Sequence, residues 1–193
     1  MNLRYQIVLA SNSPRRKELL KNAGIKFTTR VKEIPETYPH DIDLYAIASY
    51  LAREKGKVYI PELDKNELLI TADTVVICDG IIFEKPSDYD EAFKMLSRLS
   101  GKTHEVITGV CMTTTEGQTS FDDSTLVEFD QLSSEDIHYY IETYKPFDKA
   151  GSYGIQEWIG MIGIKKINGS YFNVVGLPIH KLYKELRQYI INE

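Results

Sequence analysis

The sequence predicts an α/β fold, a mixed β-sheet with flanking helices. Strand-like apolar runs and helix-like periodic segments alternate along the whole chain, which is typical of mixed α/β proteins and not of helical bundles or sandwiches. Asp79–Gly80, between two apolar runs, indicates a two-residue hairpin turn. The length of 193 residues, without internal repeats, linkers or low-complexity tracts, predicts a single domain over residues 1–193.

The first elements are predicted to be a strand and a helix. The apolar run Ile7–Ala10 predicts the strand, and the segment Arg15–Ala23 predicts the helix. Ser13 is a favourable N-cap, and Pro14 is a favourable first helical residue. We therefore expect only a short polar break between the two elements.

The predicted helix begins with three cations, Arg15, Arg16 and Lys17. The positive end of a helix dipole repels cations in the first turn by roughly 0.3–1 kcal/mol each. A helix start made positive by its dipole, its N–H groups and two guanidinium groups is suited to bind an anion such as phosphate. A solvated basic turn at the surface is the alternative interpretation.

The rest of the chain continues the alternation. The middle predicts a strand over Phe27–Val31, a helix capped by Asp43 and ended near Gly56, buried β segments at Leu68–Ala72 and Thr74–Cys78, a returning strand at Ile81–Phe83, and a helix opened by a capping box of Ser87 and Asp90. The C-terminal half predicts a hairpin of Val106–Thr115 with Thr119–Phe129, a helix from Ser133 or Ser134 to Tyr144, an irregular Gly-rich segment from Pro146 to Gly176, and a last helix from about Pro178.

Composition excludes several classes of protein. A net charge of −5 argues against broad attraction to nucleic acid, so a polyanionic ligand needs a local basic cluster. Cys78 and Cys111 form no metal-binding pattern, which favours buried free thiols and a cytoplasmic location. The histidines lack zinc-site spacing, and no apolar run of about 18 residues predicts a membrane span.

A carboxylate, Asp73, interrupts the apolar β segments. A buried carboxylate without a partner is costly, and its pKa would rise until the group became neutral. Asp73 is therefore either hydrogen-bonded structurally or placed at a cleft for chemistry. Lys85, held extended by Pro86, and Lys55, at the end of its helix, could hold phosphate or could be ordinary surface lysines.

Two glycine-bounded segments, Asp148–Gln156 and Asn168–Pro178, indicate backbone that approaches another group closely.

No Ser/His/Asp grouping and no reactive cysteine context supports covalent catalysis. Cations suited to phosphate recur instead, together with single carboxylates. That combination suits phosphate chemistry with a hard divalent ion such as Mg²⁺, bound by one or two carboxylates and by substrate phosphates.

In this combination the chain resembles the Maf family of nucleoside triphosphate pyrophosphatases, once described as septum-formation inhibitors. The similar blocks are Ala10–Arg16, the Glu36 region, Leu51–Lys55, Ala72–Val76, Glu84–Pro86, Gly101–Val106, Asp148–Gln156 and Gly169–Pro178. Each block alone is weak, but all of them in order are highly specific. The resemblance implies an elongated fold like that of inosine triphosphate pyrophosphatases, with two lobes around a cleft.

The resemblance also implies a reaction and its residues. The reaction would be metal-dependent cleavage of a nucleoside triphosphate, with Mg²⁺ or Mn²⁺, to the monophosphate and pyrophosphate. Asp73 would activate water, Arg16, Lys55 and Lys85 would complete the catalytic set, and Glu36 with Asp73 would serve the metal. The substrate-binding residues would be Ser11, Ser13, Arg15, Thr74, Lys149 and Gln156.

Three positions are similar to the branch of the family that acts on dTTP and UTP, namely Arg15, Thr74 and Gln156. The glutamine amide both donates and accepts, and the uracil or thymine edge presents an acceptor, a donor and an acceptor. The resemblance extends this expectation to modified pyrimidine nucleotides. The chain departs from the family pattern at Glu157–Trp158, where small residues are usual, and this change bears on base preference or on dimer contacts.

The alternative function is a nucleotide-binding regulator of cell division or septum formation without significant turnover. Asp73 beside so many phosphate-type cations favours the enzyme, because a sensor needs no internal carboxylate facing a polyanion. The resemblance further suggests a homodimer. A nucleic-acid binder using the basic helix start is disfavoured by the net charge, and no membrane partner is expected.

Overall fold

A computed structural model describes residues 3–190 of the chain. Within those residues the strands are β1 (Gln6–Leu9), β2 (Phe27–Thr29), β3 (Glu67–Cys78), β4 (Ile81–Phe83), β5 (Thr103–Thr114), β6 (Gly117–Phe129) and β7 (Ile164–Asn168). They form one sheet in the order β2-β1-β3-β5-β6-β7, with β4 paired to β3. β1 runs parallel to β2 and β3, whereas β3–β4 and β6–β7 are antiparallel. The sheet is therefore mixed.

Within the described residues, seven α-helices lie between or after the strands in chain order. They are α1 (Pro14–Asn22), α2 (Ile47–Lys57), α3 (Tyr89–Leu99), α4 (Ser134–Tyr144), α5 (Trp158–Ile162), α6 (Tyr171–Val175) and α7 (Ile179–Leu186). Of these helices in the described chain, none has the length and apolar composition that crossing a membrane requires. The mixed sheet with flanking helices confirms the predicted α/β class.

The contacts divide the chain into two compact units. The first unit comprises Met1–Asp73, Thr108–Asp123 and Gly176–Glu193, and the second comprises Thr74–Ile107 and Ser124–Val175. Strands β3, β5 and β6 each contribute residues to both units. The single-domain assignment over residues 1–193 stays a prediction.

The core of the first unit joins β1 and β3 to helices α1 and α7. Its buried apolar side chains are Tyr5, Ile7, Leu9, Leu20, Ile25, Leu68, Ile70, Ala72, Val110, Met112, Leu177, Leu182 and Leu186. Leu182 and Leu186 are four residues apart, so they lie on one face of α7 and pack inward together. Burial of this face fixes the C-terminal helix against the strands that carry the N-terminal candidate residues.

Helix α2 lies unusually close to the sheet because it presents small residues at every fourth position. A Cβ added to Gly109 of β5 would be 2.3 Å from the carbonyl carbon of Ala48. The Thr71 hydroxyl donates to the Ala52 carbonyl at 2.6 Å. A Cβ on Gly56 would be 2.5 Å from a threonine hydroxyl of β5. These close contacts set the height and rotation of α2 on the sheet.

The second unit has its own core between α3, α4 and the strands β3, β5 and β6. Its buried members include Val76, Phe83, Leu96, Leu99, Val106, Val127, Phe129, Tyr140, Ile141, Tyr153 and Ile159. His104 lies within this core at 2% exposure, with its Nε2 2.7 Å from the Tyr153 hydroxyl. An aromatic cluster of His104, Phe129 and Tyr153 completes the contact.

Most local predictions are confirmed. Ser13 caps α1, with its hydroxyl accepting from the Arg16 N–H, and Pro14 is the first helical residue. Asp79 and Gly80 have φ values of 52° and 72°, as the predicted hairpin turn requires. Both cysteines are buried free thiols, as expected.

Two local predictions are wrong, and a third is confirmed with an added role for one glycine. Asp88, not Ser87, is the N-cap of α3, because the Asp88 carboxylate accepts from the Glu91 N–H at 2.9 Å. The predicted end of α2 near Gly56 is confirmed, since the helix ends at Lys57, and Gly56 is also a site of close approach to the sheet. The segment predicted as irregular between Pro146 and Gly176 contains α5, β7 and α6.

Candidate active site

Asp73 lies inside β3, where the apolar pattern of the strand is interrupted. The strand is continuous through this residue, and Asp73 is 7% exposed. Its Oδ1 is 2.6 Å from the Lys55 Nζ. The buried carboxylate predicted from the sequence is therefore paired with a cation.

Lys55 lies in the last turn of α2, where a cation also complements the helix dipole. Its Nζ donates to the Glu36 Oε1 at 2.7 Å as well as to Asp73. Glu36 is exposed and belongs to the irregular segment between β2 and α2. A single ammonium group thus joins two carboxylates that are far apart in the sequence.

Burial dominates the electrostatics of Asp73 and raises the pKa of its carboxyl above the ordinary value. The Lys55 ammonium opposes this rise, the Glu36 carboxylate adds to it, and the Arg16 guanidinium opposes it. A carboxylate with a raised pKa is a better proton acceptor than an exposed one. The arrangement can therefore hold a basic carboxylate next to groups that bind an anion.

Arg16 is the second cation of this site and is held by the main chain. Its Nε donates to the Gly176 carbonyl at 2.7 Å, and its Nη1 donates to the Ala72 carbonyl at 2.9 Å. Burial lowers the pKa of Arg16, and the neighbouring Asp73 carboxylate counteracts that effect. Two fixed acceptors orient the guanidinium group beside the residue that precedes Asp73.

The start of α1 is organised by two serines. The Ser11 hydroxyl is buried and accepts from the Ser13 N–H at 3.1 Å, and the Ser13 hydroxyl accepts from the Arg16 N–H at 3.4 Å. Arg15 and Lys17 are half-buried in the same turn. The strand, the polar break and the basic turn therefore form one preorganised segment, as the sequence predicts.

The remaining candidate residues belong to the second unit. Thr74 follows Asp73 in β3 and is half-buried, whereas Lys85 follows β4 and is exposed. The Gly151 N–H donates to the Glu84 carbonyl at 3.1 Å, which joins the segment before Lys85 to the glycine-bounded segment Asp148–Gln156. The structure thus brings two of the family-like blocks together within this unit.

Lys149 is almost fully buried and pairs with carboxylates of its own segment. Its Nζ is 2.7 Å from the Asp148 Oδ1 and 3.2 Å from the Glu157 Oε1. Gln156, the residue before Glu157, is exposed. The sequence indicates Lys149 only as a residue of a glycine-bounded segment and gives no sign of these two ion pairs.

The first unit therefore brings together the catalytic and phosphate candidates Ser11, Ser13, Arg15, Arg16, Glu36, Lys55 and Asp73, and the second holds Thr74, Lys85, Lys149 and Gln156. Sequence reasoning missed Tyr140 of the second unit, whose hydroxyl is hydrogen-bonded to Glu157, a residue marked in the sequence only as a departure from the family pattern. No signal marks Tyr140, because its position fits the buried face of an amphipathic helix.

The carboxylates of the first unit fit a metal that is shared with substrate. Within residues 3–190, no group of three or more His, Cys, Asp or Glu side chains is arranged to hold a metal ion. Glu36 and Asp73 nevertheless direct hard oxygen ligands to one place, since both contact Lys55. Mg²⁺ commonly takes one or two carboxylates and completes its shell with water and substrate phosphates. The residues present fit that mode and not an all-protein cage.

The fold is similar to that of Ham1 proteins. The Staphylococcus aureus Ham1 protein matches with a TM-score of 0.50 and 15% identity, covering 93% of this chain and 99% of that one. A HAM1 protein from Coxiella burnetii matches with a TM-score of 0.51 and 16% identity, covering 95% and 99%. The class that the fold defines is thus a mixed α/β protein whose fold is similar to that of two Ham1 proteins.

The sequence gives a narrower assignment. The family model described as Maf-like protein matches residues 6–189. A relative from Phocaeicola vulgatus is 56% identical over 188 residues, and one from Bacteroides thetaiotaomicron is 53% identical over 186 residues. Each alignment covers 96% of this chain and 96% of the relative, and both relatives are named dTTP/UTP pyrophosphatase. The chain belongs to the Maf-like protein family.

Proposed function

We propose that this chain is a nucleoside triphosphate pyrophosphatase that hydrolyses dTTP and UTP to the monophosphate and pyrophosphate. The names of relatives more than 50% identical over nearly their full length support the activity and the substrates. The observation that carries the proposal is the buried Asp73 paired with Lys55, with the anchored guanidinium of Arg16 beside it. This is a proton acceptor surrounded by cations.

Asp73 takes the proton of the attacking water. The water oxygen forms a bond to the α-phosphorus, the bond from that phosphorus to the oxygen bridging to the β-phosphate breaks, and pyrophosphate leaves. Burial raises the pKa of Asp73, which makes its carboxylate a stronger base. Arg16 and Lys55 bind the phosphates and stabilise the charge that develops on them. Lys85 is the third phosphate-binding cation of the proposal.

Glu36 and Asp73 are the residues that would hold a divalent metal. When bound there together with the nucleotide, Mg²⁺ or Mn²⁺ neutralises phosphate charge and polarises the phosphoryl oxygens. Base selection belongs to Arg15, Thr74 and Gln156 in this proposal. A homodimer and a cytoplasmic location remain predictions alongside it.

The test is pyrophosphate release from a panel of nucleotides by the wild type and by Asp73→Asn. We expect turnover of dTTP and UTP with Mg²⁺, and a fall in kcat of about 10²–10⁴-fold in the variant, because general-base catalysis contributes that much. The variant should stay folded, because Lys55 keeps its pairing with Glu36, and it should still bind dTTP. Asp79→Asn is the matched control, since Asp79 is an exposed hairpin residue whose positive φ suits asparagine.

Two outcomes would contradict the proposal. Near-normal pyrophosphate release by Asp73→Asn would remove Asp73 from the reaction. Nucleotide binding without any pyrophosphate release by the wild type would favour the alternative, a nucleotide-binding regulator.

A further inference from the structure

Tyr140 is a buried polar residue that the proposed reaction does not use. It lies in α4, and its hydroxyl accepts from the Gly154 N–H at 2.9 Å. The same hydroxyl donates to the Glu157 Oε2. Both partners belong to the segment that presents Gln156, so one hydroxyl joins the two ends of a four-residue stretch.

The stretch is closed by further contacts on each side of Gln156. The Glu157 N–H donates to the Gly154 carbonyl at 3.0 Å, which forms a tight turn. Ile155 is buried in the core of the second unit, whereas Gln156 is exposed at the turn. Every neighbour of Gln156 in the chain is therefore anchored, and only Gln156 itself is presented outward.

Glu157 connects this turn to a buried cation. Its Oε1 is 3.2 Å from the Lys149 Nζ. A Cβ added to Gly154 would lie 2.8–3.1 Å from the Glu157 carboxylate atoms, so the carboxylate occupies the space of a side chain at position 154. The Glu157 carboxylate thus has a cation on one oxygen and a phenol on the other, and its place is defined from two sides.

We propose that Tyr140 and Glu157 are positioning residues for base selection, which fix the turn that presents Gln156 to the pyrimidine. The inference rests on the proposed function, because it concerns how that site chooses its nucleotide. An amide discriminates between bases only if its oxygen and its nitrogen are held in a set orientation. The thymine edge presents acceptor, donor and acceptor, whereas the cytosine edge presents donor, acceptor and acceptor, so dCTP is the matched competitor.

The Tyr140 hydroxyl is suited to this permanent structural contact. Burial raises the pKa of Tyr140 well above its ordinary value, and the hydrogen bond to Glu157 adds to that rise. The phenol therefore keeps its proton and stays a donor over the working range of pH. Its removal would leave the Gly154 N–H and one oxygen of Glu157 without this partner in a largely buried place.

The decisive variant is Tyr140→Phe, which removes one oxygen atom and keeps the ring. We expect the ratio of kcat/KM for dTTP to that for dCTP to fall by about five- to tenfold, the loss expected for one well-placed hydrogen bond. The change should arise mainly from a higher KM for dTTP, with kcat within about twofold of the wild type, because Asp73, Arg16 and Lys55, which carry the proposed proton transfer and charge stabilisation, belong to the first unit.

Tyr144→Phe is the matched control. Tyr144 lies one turn further along α4, its ring stacks on that of Tyr140 at 5.2 Å, and within residues 3–190 its hydroxyl has no hydrogen-bond partner. We expect it to keep the wild-type ratio of dTTP to dCTP. An equal loss of selectivity in both variants would overturn the inference, since it would reflect general loosening of the helix.

A double-mutant cycle with Glu157→Gln tests whether Tyr140 acts through Glu157. If it does, the effects of the two substitutions on the selectivity ratio are less than additive. Additive effects, or a uniform fall in kcat for every nucleotide, would contradict the positioning role. If Tyr140→Phe does not fold, Glu157→Gln alone measures the same ratio, because it keeps the shape and weakens the pairing with Lys149.

The failure of this inference is distinct from failure of the proposed function. A wild-type protein that releases no pyrophosphate from any nucleotide would overturn the proposed function. A wild-type protein that prefers dTTP over dCTP, with the same preference in Tyr140→Phe, would overturn only the role of Tyr140.

Discussion

Some charged residues of this protein would be unfavourable in their buried positions without a partner of opposite charge. Asp73 is the main case, because its carboxylate is buried and lies near the carboxylate of Glu36, with Lys55 between them. Removing one partner of such a group usually costs more than the pair itself contributes, since it leaves a buried charge unmatched. The proximity of these three groups is therefore a structural requirement as well as a functional feature.

His104 gives a prediction for stability against pH. Burial lowers the pKa of His104 to about 4, from an unfolded value of 6.5. Between these values the unfolded chain binds a proton that the folded chain does not, so stability is complete above pH 6.5 and falls as the pH drops toward 4. We expect a loss of about 2 kcal/mol between pH 7 and pH 5 from this group alone.

The measurement is urea unfolding at both pH values for the wild type, His104→Gln and His180→Gln. His180 is exposed in α7, so its substitution should leave the pH dependence unchanged. His104→Gln should weaken the dependence, although the variant itself is less stable. Equal pH dependence in all three proteins would mean that His104 is not buried in its neutral form.

At the residue scale the sequence was informative where chemistry opposes the local pattern. Asp73 in an apolar strand and cations at a helix start both contradict ordinary preferences, and both lie at the candidate site. Tyr140 and Glu157 contradict nothing locally. Their importance depends on a pairing across 17 positions, which no local pattern reveals.

Elements are placed by small residues as much as by apolar ones. Ala48, Ala52 and Gly56 form one face of α2, and this face meets Gly109 and Thr71 on the sheet. The close contact brings the last turn of α2 to β3. It follows that Lys55 reaches Asp73 because the helix can approach the strand so closely.

Gly109→Ala tests this placement. The added Cβ would meet backbone atoms of α2 at 2.3 Å, so α2 would have to move away from β5 to accommodate it. We expect destabilisation of at least about 2 kcal/mol, together with lower kcat/KM, because the helix that carries Lys55 is displaced. Chemical unfolding and pyrophosphate release measure the two effects.

Gly117→Ala is the comparison for that experiment. Gly117 has a φ of 154°, and no heavy atom lies within 4 Å of the position that its Cβ would take. Its substitution tests backbone conformation without crowding, and we expect a smaller loss of stability and unchanged kcat. A loss in Gly109→Ala no larger than in Gly117→Ala would mean that α2 tolerates a greater distance from the sheet.

Element prediction failed where the elements are short. Helices α5 and α6 have five residues each, which is too few for the apolar periodicity of a helix to emerge. Strand β7 is also five residues long, and its pairing with β6 shifts register between Glu128 and Phe129. Glycines between these pieces match an irregular segment equally well, so only tertiary contacts define them.

Within residues 3–190, each of the two compact units contains a large apolar core of its own. The first unit consists of three separate stretches of the chain. After Asp73 the chain belongs to this unit again over Thr108–Asp123 and from Gly176 onward. The sequence predicts the class of fold because alternation is local, but the division into cores depends on contacts between distant stretches. The cleft and the elongated form implied by the family resemblance remain predictions.

A ligand should raise the stability of the whole chain if the proposed site exists. A non-hydrolysable dTTP analogue with Mg²⁺ binds the folded protein and not the unfolded chain, so at 100 times its Kd it adds about 2.7 kcal/mol. For a chain of this size we expect the midpoint of thermal unfolding to rise by about 5–10 °C. Chelation of the metal should remove most of that rise, because the triphosphate charge would then lie uncompensated beside Asp73 and Glu36.

Arg16→Met should lose the rise as well, whereas Lys57→Met should keep it, since Lys57 pairs with Glu54 on the outer face of α2. An equal rise with and without the metal would show that the cations alone hold the triphosphate, and the proposed pairing of carboxylates with a shared metal would then be wrong.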